Sequence, residues 1–288
     1  MQLDPIVVEE GVRLEALAAI GSTNAEARVR AQQGERGPLW ITGTMQRAGR
    51  GRYGRTWISP PGNLYASLLL TDPSPFEQAP QLAFVTALAV RDAIVAEATA
   101  LAPQLGLKWP NDLLLGGRKC AGILIEGEAA FADGPAMLNR LTVIIGIGVN
   151  CVSHPPAPSL PASEASRSPR FEEKPAYPAT DLRAHGADIT PERLFARLSV
   201  TMCRRLAEWN GSRGFDAILA DWLSHARGVG EHITVRNSGA GTQGRFVGVD
   251  HSGRLVLELG NGAMTKISAG DVFPFTVRDR RRIGDPSS

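Results

Sequence analysis

The chain has 288 residues, 43% of them hydrophobic and 21% charged, and this composition excludes a disordered or fibrous protein. Its length suits one catalytic domain with a small appendage, and its formal net charge of +2 is too small to indicate a polyanionic partner. The three cysteines lie far apart, which favours free thiols over disulfides or a zinc site. No leader and no apolar run of membrane-spanning length is visible, so we expect a cytoplasmic protein.

The N-terminal part of the chain predicts a strand, a helix and a second strand. Apolar runs at residues 12–20 and 39–45 predict the two strands. Between them, Thr23 and Glu26 have the spacing of a capping box, which starts a helix that we expect to end near Gly34.

A loop dense in glycine and arginine, residues 49–55, comes next and precedes a strand predicted at residues 64–70. The loop matches the dinucleotide-binding pattern G-x-G-x-x-G, but that pattern requires a following helix, which Pro60 and Pro61 exclude. We interpret the loop as an anion clamp, because backbone N–H groups and guanidinium groups bind phosphate and carboxylate oxygens. A solvated basic loop is the alternative.

The middle of the chain predicts a core helix and a hairpin. Residues 80–101 carry apolar side chains at spacings of three and four, which is typical of a long helix packed on a sheet. Residues 113–115 and 123–125 predict a hairpin around two glycines, and residues 141–149 predict another strand of that sheet. Residues 153–178 are rich in Pro, Ser and charge, so we interpret them as a mobile insertion, expect no chemistry there and assign no site residue within it.

The last third of the chain predicts two helices and a small β-domain. Thr190 and the proline after it begin one helix, and the apolar residues around Trp222 indicate a second. Short alternating segments separated by glycine turns predict a β-barrel over residues 229–277, followed by a solvated tail at residues 278–288. Residues 1–228 are then the catalytic domain.

A second polar cluster surrounds the predicted hairpin, in the blocks at residues 108–112 and 118–122. Lys119 comes directly after the hairpin turn. A lysine at such a place can neutralise an α-phosphate while pyrophosphate is displaced. A surface hairpin with an ordinary solvated lysine is the alternative.

Taken in order, these motifs resemble the catalytic domain of biotin protein ligases. The resemblance is carried by Ser22-Thr23-Asn24, Gln46, residues 49–55, Trp57, Asn63-Leu64, residues 108–112, residues 118–122 and residues 146–150. Each motif alone is weak, whereas several in the same order are specific. The resemblance implies an ATP-dependent ligase that forms biotinyl-5′-AMP and pyrophosphate and then transfers biotin to a lysine of a biotin carboxyl carrier domain.

The resemblance also implies an α/β (α+β) fold. The catalytic domain is expected to be class II synthetase-like, with a mixed, largely antiparallel sheet flanked by helices, followed by a small SH3-like β-barrel. Bifunctional members of the family carry an N-terminal winged-helix domain, for which the position of Ser22 leaves no room, so we expect no DNA partner. We also expect no membrane partner, because no apolar run of membrane-spanning length is visible. Whether the chain forms a homodimer and what the barrel contributes stay open.

The expected site residues follow from the same resemblance. The biotin site is expected to contain Ser22, Thr23, Asn24, Gln46, Gly49, Arg50, Gly51, Arg52, Lys119 and Gly122. The ATP site is expected to contain Arg52, Arg55, Trp57, Asn111, Lys119 and Asn150, with Trp57 against the adenine. Lys119, Arg52 and Asp112 are the expected catalytic residues. Mg²⁺ is expected to arrive with ATP, and no protein metal ligand is assigned.

Some of these roles have a plain structural alternative. Ser22 and Thr23 suit the polar ureido group of biotin, but both also suit helix capping. Asp112 either takes the proton of the acceptor lysine or forms a salt bridge with Lys108 or Arg118.

Two other functions are alternatives to the ligase. Lipoate or octanoate ligases and transferases share the implied fold, but they lack the arginine-rich loop at residues 49–55. A nucleic-acid-binding module is disfavoured by the balanced charge and by the lack of aromatic residues interleaved with basic ones.

Overall fold

The computed structural model describes residues 1–130, 140–156, 177–236 and 241–274. Most of the predicted insertion and the tail at residues 278–288 lie outside the described residues. Within these ranges the elements are α1 (Pro5–Glu9), β1 (Arg13–Ile20), α2 (Thr23–Gln32), β2 (Leu39–Gln46), β3 (Leu64–Thr71), α3 (Leu82–Glu97), β4 (Leu105–Lys108), β5 (Asp112–Leu115), β6 (Arg118–Ala130), β7 (Arg140–Val149), α4 (Pro191–Trp209), α5 (Phe215–His225), β8 (His232–Arg236), β9 (Thr242–Val249), β10 (Leu255–Glu258), β11 (Met264–Ile267) and β12 (Asp271–Pro274).

A seven-stranded sheet forms the centre of the larger domain, with the strand order β1-β2-β3-β7-β6-β5-β4. The pair β1 and β2 is parallel, and the other neighbouring pairs are antiparallel. The mixed, largely antiparallel sheet predicted for this fold class is therefore confirmed.

Side chains alternate between the two faces of this sheet, and each face is covered by different helices. On one face, Ala27 of α2 packs with Ile41, Leu69 and Ile144 of the sheet. The opposite face belongs to the main hydrophobic core, which also contains the buried sides of α3, α4 and α5. A cavity lies on the first face beside α2, against β6 and β7, and the candidate site is there.

Helix α3 and the turn before it form a longer apolar segment than we expected from the sequence. Residues Phe76–Glu97 form a helical segment of 22 residues that is long and apolar enough to cross a membrane by composition alone. The expectation that no apolar run reaches this length was therefore wrong. Of its most apolar window, 72% is buried inside the protein, as in the core helix of a globular domain.

The two predicted helix starts differ in outcome. Thr190 caps α4 as expected, because its side chain accepts a hydrogen bond from the Arg193 N–H and a proline follows. The capping box predicted at the start of α2 was wrong. Ser22 occupies the N-cap, Thr23 is the first helical residue, and the Ser22 side chain makes no capping hydrogen bond.

A five-stranded antiparallel sheet of order β11-β10-β9-β8-β12 forms the small C-terminal unit. The turn between β9 and β10 inserts against the larger domain, where the carbonyl of Gly253 accepts a hydrogen bond from Trp109 Nε1 at 2.9 Å. A Cβ on Gly253 would lie 2.8 Å from the ring of Phe84, so only glycine allows this approach. The small unit therefore packs directly behind the block at residues 108–112.

Three elements were not predicted, namely α1, β4 and β12. Each has four or five residues, too few for a period of hydrophobicity to be visible. Helix α1 does carry a local signal, because Asp4 accepts from the Ile6 N–H and Pro5 follows it.

An ion-pair cluster joins α3, α4 and α5, and it gives a stability prediction. Arg205 is 12% exposed and contacts Asp92 at 2.8 Å, Asp221 at 2.7 Å and Glu208 at 2.8 Å. Burial alone would lower the pKa of Arg205, but these carboxylates outweigh it and raise the pKa. Arg205→Ala should lower the free energy of unfolding by about 3 kcal/mol, because the carboxylates lose their central partner.

Urea unfolding of the two variants Arg205→Ala and Arg204→Ala measures this effect. Arg204 contacts the same carboxylate, Asp92, at 2.5 Å but is 55% exposed. Its loss should cost less than about 1 kcal/mol. Equal costs for the two variants would show that burial does not distinguish these arginines.

Candidate active site

A cavity of about 420 Å³ lies above β6 and β7 on the α2 side of the sheet. It brings together the predicted residues Ser22, Thr23, Asn24, Gln46, Arg50, Gly51, Arg52, Arg55, Trp57, Asn111, Asp112, Lys119, Gly122 and Asn150. Gly49 is the predicted site residue outside this lining. A Cβ on Gly49 would lie 2.4 Å from the Trp57 carbonyl oxygen, so this glycine allows close packing within the loop.

One end of the cavity is polar and already ordered by its own hydrogen bonds. The Gln46 Oε1 atom accepts from the Thr23 backbone N–H at 2.9 Å and from the Thr23 hydroxyl at 3.2 Å. Gln46 Nε2 donates to the Ser59 hydroxyl at 2.9 Å. Because the Ser22 hydroxyl does not cap α2, it is available to a ligand at this end.

Asn24 closes this polar end and is held by the protein on both sides of its amide. Its Oδ1 accepts from the Ser67 hydroxyl at 2.6 Å, and its Nδ2 donates to Glu126 at 2.7 Å. Arg28 pairs with the second oxygen of Glu126 at 2.9 Å. A Cβ on Gly146 would lie 2.3 Å from Asn24 Oδ1, so that glycine makes room for the amide.

The middle of the cavity is a narrow space between glycines and a tryptophan. Gly122 of β6 and Gly148 of β7 are direct partners in the sheet. A Cβ on Gly148 would lie 2.6 Å from the Trp57 indole, and one on Gly122 would lie 3.1 Å from it. Trp57 Nε1 is buried and has no hydrogen-bond partner among the described residues. The indole therefore covers the centre of the cavity.

Lys119 reaches this centre and is paired with a buried carboxylate. Its Nζ lies 5.4 Å from the Trp57 ring centroid and 2.6 Å from Asp112 Oδ1. Asp112 Oδ2 lies 3.4 Å from the Nζ of Lys108, which is only 4% exposed. Burial alone would raise the pKa of Asp112, but the two lysines outweigh burial and hold it below its ordinary value. Burial lowers the pKa of Lys108.

The arginine loop at residues 49–55 links separate parts of the protein over the cavity. Arg52 donates to Asn111 Oδ1 at 3.1 Å, to the Gly270 carbonyl at 3.4 Å and to the Tyr53 hydroxyl at 2.9 Å. Arg55 forms an ion pair with Asp271 of β12. The loop, the block at residues 108–112 and the small C-terminal unit are thus joined by guanidinium groups.

Several lining residues were missed by the sequence reading. Pro155, Pro156, Tyr177 and Pro178 line the cavity, so both ends of residues 153–178, where we expect no chemistry, border the predicted site. The reason is backbone pairing, because the Lys119 N–H donates to the Pro178 carbonyl at 2.8 Å. Asp271 also lines the cavity, and no local motif marks it.

Asn150 connects this rim to the sheet. It is 2% exposed, its N–H donates to the Cys120 carbonyl at 2.8 Å, and its Nδ2 donates to the Thr180 carbonyl at 2.9 Å. It therefore fixes the rim of the cavity as well as lining it.

Comparison with known proteins gives consistent matches along the chain. A family model described as "Biotin/lipoate A/B protein ligase family" matches residues 18–150, and "Biotin protein ligase C terminal domain" matches residues 228–273. A biotin–[acetyl-CoA-carboxylase] ligase of Paracoccus denitrificans is 37% identical over 257 residues, which are 89% of this chain and 98% of the relative. The bifunctional ligase/repressor BirA of Bacillus subtilis is 32% identical over 235 residues, 81% of this chain and 65% of the relative.

The fold has matching solved structures. A biotin protein ligase from Aquifex aeolicus in complex with biotin and ATP superposes with a TM-score of 0.67 at 24% identity, covering 90% of this chain and 97% of that one. At this identity the superposition supports the fold alone. It agrees with the arrangement of a mixed sheet followed by a small antiparallel sheet.

Proposed function

The chain belongs to the biotin protein ligase family, and we propose how its residues divide the two steps of the reaction. It is an ATP-dependent ligase that converts biotin and ATP to biotinyl-5′-AMP and pyrophosphate, and then transfers biotin to a lysine of an acceptor protein. The observation that carries the proposal is one cavity whose lining contains the Thr23–Gln46 pair, Lys119 and a glycine floor formed by Gly122 and Gly148.

We place the bicyclic ring of biotin at the polar end. The ureido group accepts at its carbonyl and donates from its two N–H groups, so it requires a few fixed polar atoms among apolar walls. The hydroxyls of Ser22 and Thr23 supply such atoms, and Ile123 and Leu124 supply apolar wall. The carboxylate of biotin then lies near Lys119, and its chain runs beside the Trp57 indole that covers Gly122 and Gly148.

The nucleotide belongs at the other end, beside Arg52, Arg55, Asn111 and Asn150. The predicted contact of Trp57 with adenine fits the geometry less well than a place beside the reacting atoms, because the indole covers the glycine floor next to Lys119. We therefore propose that Trp57 walls the reaction centre. Among the described residues, no cluster of three His, Cys, Asp or Glu side chains could hold a metal. We propose that Mg²⁺ enters the site with ATP, as part of the MgATP substrate.

In the first step an oxygen of the biotin carboxylate attacks the α-phosphorus of ATP. The new P–O bond forms as the bond to pyrophosphate breaks, and negative charge grows on the α-phosphoryl oxygens. We assign Lys119 Nζ to stabilise this charge, since a fixed cation in a partly dry site acts strongly on a developing anion. The arginine loop then excludes water from the mixed anhydride.

In the second step the acceptor lysine must attack as a neutral amine, although its ordinary pKa is about 10.4. Asp112 is poorly suited to take that proton, because a carboxylate whose pKa is held below its ordinary value is a weak base. Its contacts at 2.6 Å and 3.4 Å with two lysines favour the ion-pair role. We propose that Asp112 fixes the position of Lys119.

Asp112→Asn tests this assignment directly. The variant should slow adenylate formation by about 10-fold or more, because Lys119 loses a charged partner. Transfer from supplied biotinyl-5′-AMP to the acceptor should change less. Rapid-quench assays of the two steps measure both rates, with Asp188→Asn, an 83% exposed carboxylate, as the control. Normal adenylate formation with slow transfer would restore the role of general base.

We propose that the acceptor is the biotin carboxyl carrier domain of a biotin-dependent carboxylase. The Paracoccus relative supports this class of acceptor, since its name specifies acetyl-CoA carboxylase. Homodimer formation, the lack of DNA and membrane partners, a cytoplasmic location and the domain boundaries at residues 1–228 and 229–277 stay predictions.

The function is tested by incubating the purified protein with biotin, ATP and Mg²⁺ and detecting biotinyl-5′-AMP and biotinylated carrier by mass spectrometry. Lipoate and octanoate serve as alternative substrates. The apolar ends of lipoate and octanoate cannot form hydrogen bonds with the polar groups around Gln46. Neither acid should therefore be activated at a concentration at which biotin is activated. Activation of lipoate without activation of biotin would overturn the proposal.

A further inference from the structure

A buried asparagine outside the active-site cavity holds the segment that links two of its lining residues. Asn63 is 1% exposed and precedes β3. Its Oδ1 accepts from the N–H groups of Cys151 at 2.9 Å, Val152 at 3.0 Å and Ser153 at 3.3 Å. Its Nδ2 donates to the Ser153 carbonyl at 2.9 Å. One side chain thus satisfies four backbone groups of three consecutive residues.

These three residues occupy a defined place relative to the cavity. Asn150 comes directly before them and Pro155 and Pro156 come shortly after, and all three of those residues line the cavity. The contact is close, since a Cβ on Gly62 would lie 2.5 Å from the Val152 side chain. The Gly62–Asn63 corner therefore holds the chain as it leaves β7, together with the Arg183 N–H, which donates to the Cys151 carbonyl at 3.0 Å.

The chain that leads to this corner is connected to the strands β2 and β3. The Tyr65 hydroxyl donates to the Pro60 carbonyl at 2.7 Å, and the Gln46 N–H donates to the Ser59 carbonyl at 3.2 Å. The chain from Trp57 to Asn63 is thereby fixed to the strands β2 and β3. Asn63 ties residues 151–153, which lead to Pro155 and Pro156, to this fixed chain.

We propose that Asn63 is a positioning residue for the nucleotide half of the site, and this inference rests on the proposed function. Through Cys151–Ser153 it holds the wall formed by Pro155 and Pro156, which follow Asn150 in the chain and line the cavity with it. The polar end at Thr23 and Gln46 is built by α2 and β2, and its contact with the chain before Asn63 is made by Ser59 and not by Asn63, so it should depend on Asn63 less. Loss of Asn63 should therefore affect ATP more than biotin.

Asparagine is required because the site needs one acceptor and one donor at the same place. Alanine leaves the three N–H groups without an acceptor and the Ser153 carbonyl without a donor. Aspartate keeps the acceptor for the N–H groups but turns its second oxygen toward the Ser153 carbonyl. Asn63→Ala should thus have the larger effect and Asn63→Asp a smaller one of the same kind.

The test measures KM for ATP and for biotin separately by ATP–pyrophosphate exchange. Asn63→Ala should raise KM for ATP roughly 10-fold, while KM for biotin and the calorimetric affinity for biotin alone stay within about twofold of wild type. Asn63→Asp should raise KM for ATP by a smaller factor. Ser153→Ala removes only a 3.4 Å contact with Asn63 and should change neither constant.

The outcomes separate this inference from the proposed function. Equal increases in both KM values, or an unchanged KM for ATP in either folded variant, would overturn the positioning role. If Asn63→Ala fails to fold, the comparison rests on Asn63→Asp and Ser153→Ala. A wild-type protein that forms no biotinyl-5′-AMP would instead contradict the ligase activity, and ATP affinity of the variants would then be compared by calorimetry.

Discussion

Lys119→Met is expected to lower the rate of biotinyl-5′-AMP formation by about 10²–10³-fold, the cost of losing one fixed donor for a developing anion. Lys119 Nζ lies at the centre of the cavity, 2.6 Å from Asp112 and 5.4 Å from the Trp57 ring centroid. Methionine has a similar length and no charge, so the change removes the cation and retains most of the packing. The loss should appear in kcat more than in KM for biotin.

The measurement is single-turnover formation of biotinyl-5′-AMP at saturating biotin and ATP. Lys119→Arg keeps a positive charge but places a larger planar group between Asp112 and Trp57, so it should recover only part of the rate. Lys266→Met is the matched control, because Lys266 is 51% exposed in the small C-terminal unit and contacts Asp250 at 3.3 Å. A Lys119→Met variant within threefold of wild type would contradict the catalytic role.

Much of this site was predictable because its polar and charged residues belong to short sequence motifs. Ser22, Gln46, Arg52 and Lys119 belong to segments whose residue types already suggest hydrogen bonding or anion binding, and all four line the cavity. Hydrophobic periodicity likewise predicted α3 and the longer strands of the central sheet, because long elements repeat their pattern several times.

The position of Trp57 could not be read from the sequence in the same way. Its place over the cavity depends on the register of β6 and β7, which puts Gly122 opposite Gly148 and leaves a gap for the indole. Nothing local to Trp57 specifies that register. The resemblance implied a contact of Trp57 with the adenine, and the sheet instead puts the indole over Gly122 and Gly148, beside Lys119.

The ends of the predicted insertion show a second limit. Pro and Ser composition suggested a segment without chemistry, yet Pro178, at its end, pairs with Lys119 through backbone atoms. Backbone pairing carries no side-chain signature, so composition could not reveal it. Asp271 is similar, because its ion pair with Arg55 joins residues more than two hundred positions apart.

Arg52→Gly is expected to release biotinyl-5′-AMP into solution about 10–100-fold faster than wild type, because two or more charge-assisted hydrogen bonds of the closed loop are lost. Arg52 joins the loop to Asn111 and to the Gly270 carbonyl, so it connects both neighbouring parts of the protein over the cavity. Without it the loop keeps its backbone turn, in which the Gly51 N–H donates to Arg55 at 2.7 Å, but loses its attachment.

Adenylate in the ultrafiltrate and biotin on a bystander protein measure the escape, since free adenylate acylates exposed lysines of any protein. Arg52→Lys keeps the charge without the planar fork and should leak at an intermediate rate. Arg47→Gly changes an exposed arginine that does not line the cavity and should retain adenylate like wild type. If Arg52→Gly forms adenylate slowly but retains it, Arg52 contributes to the first step alone. The attachment of the loop would then have to depend on the contact between Arg55 and Asp271.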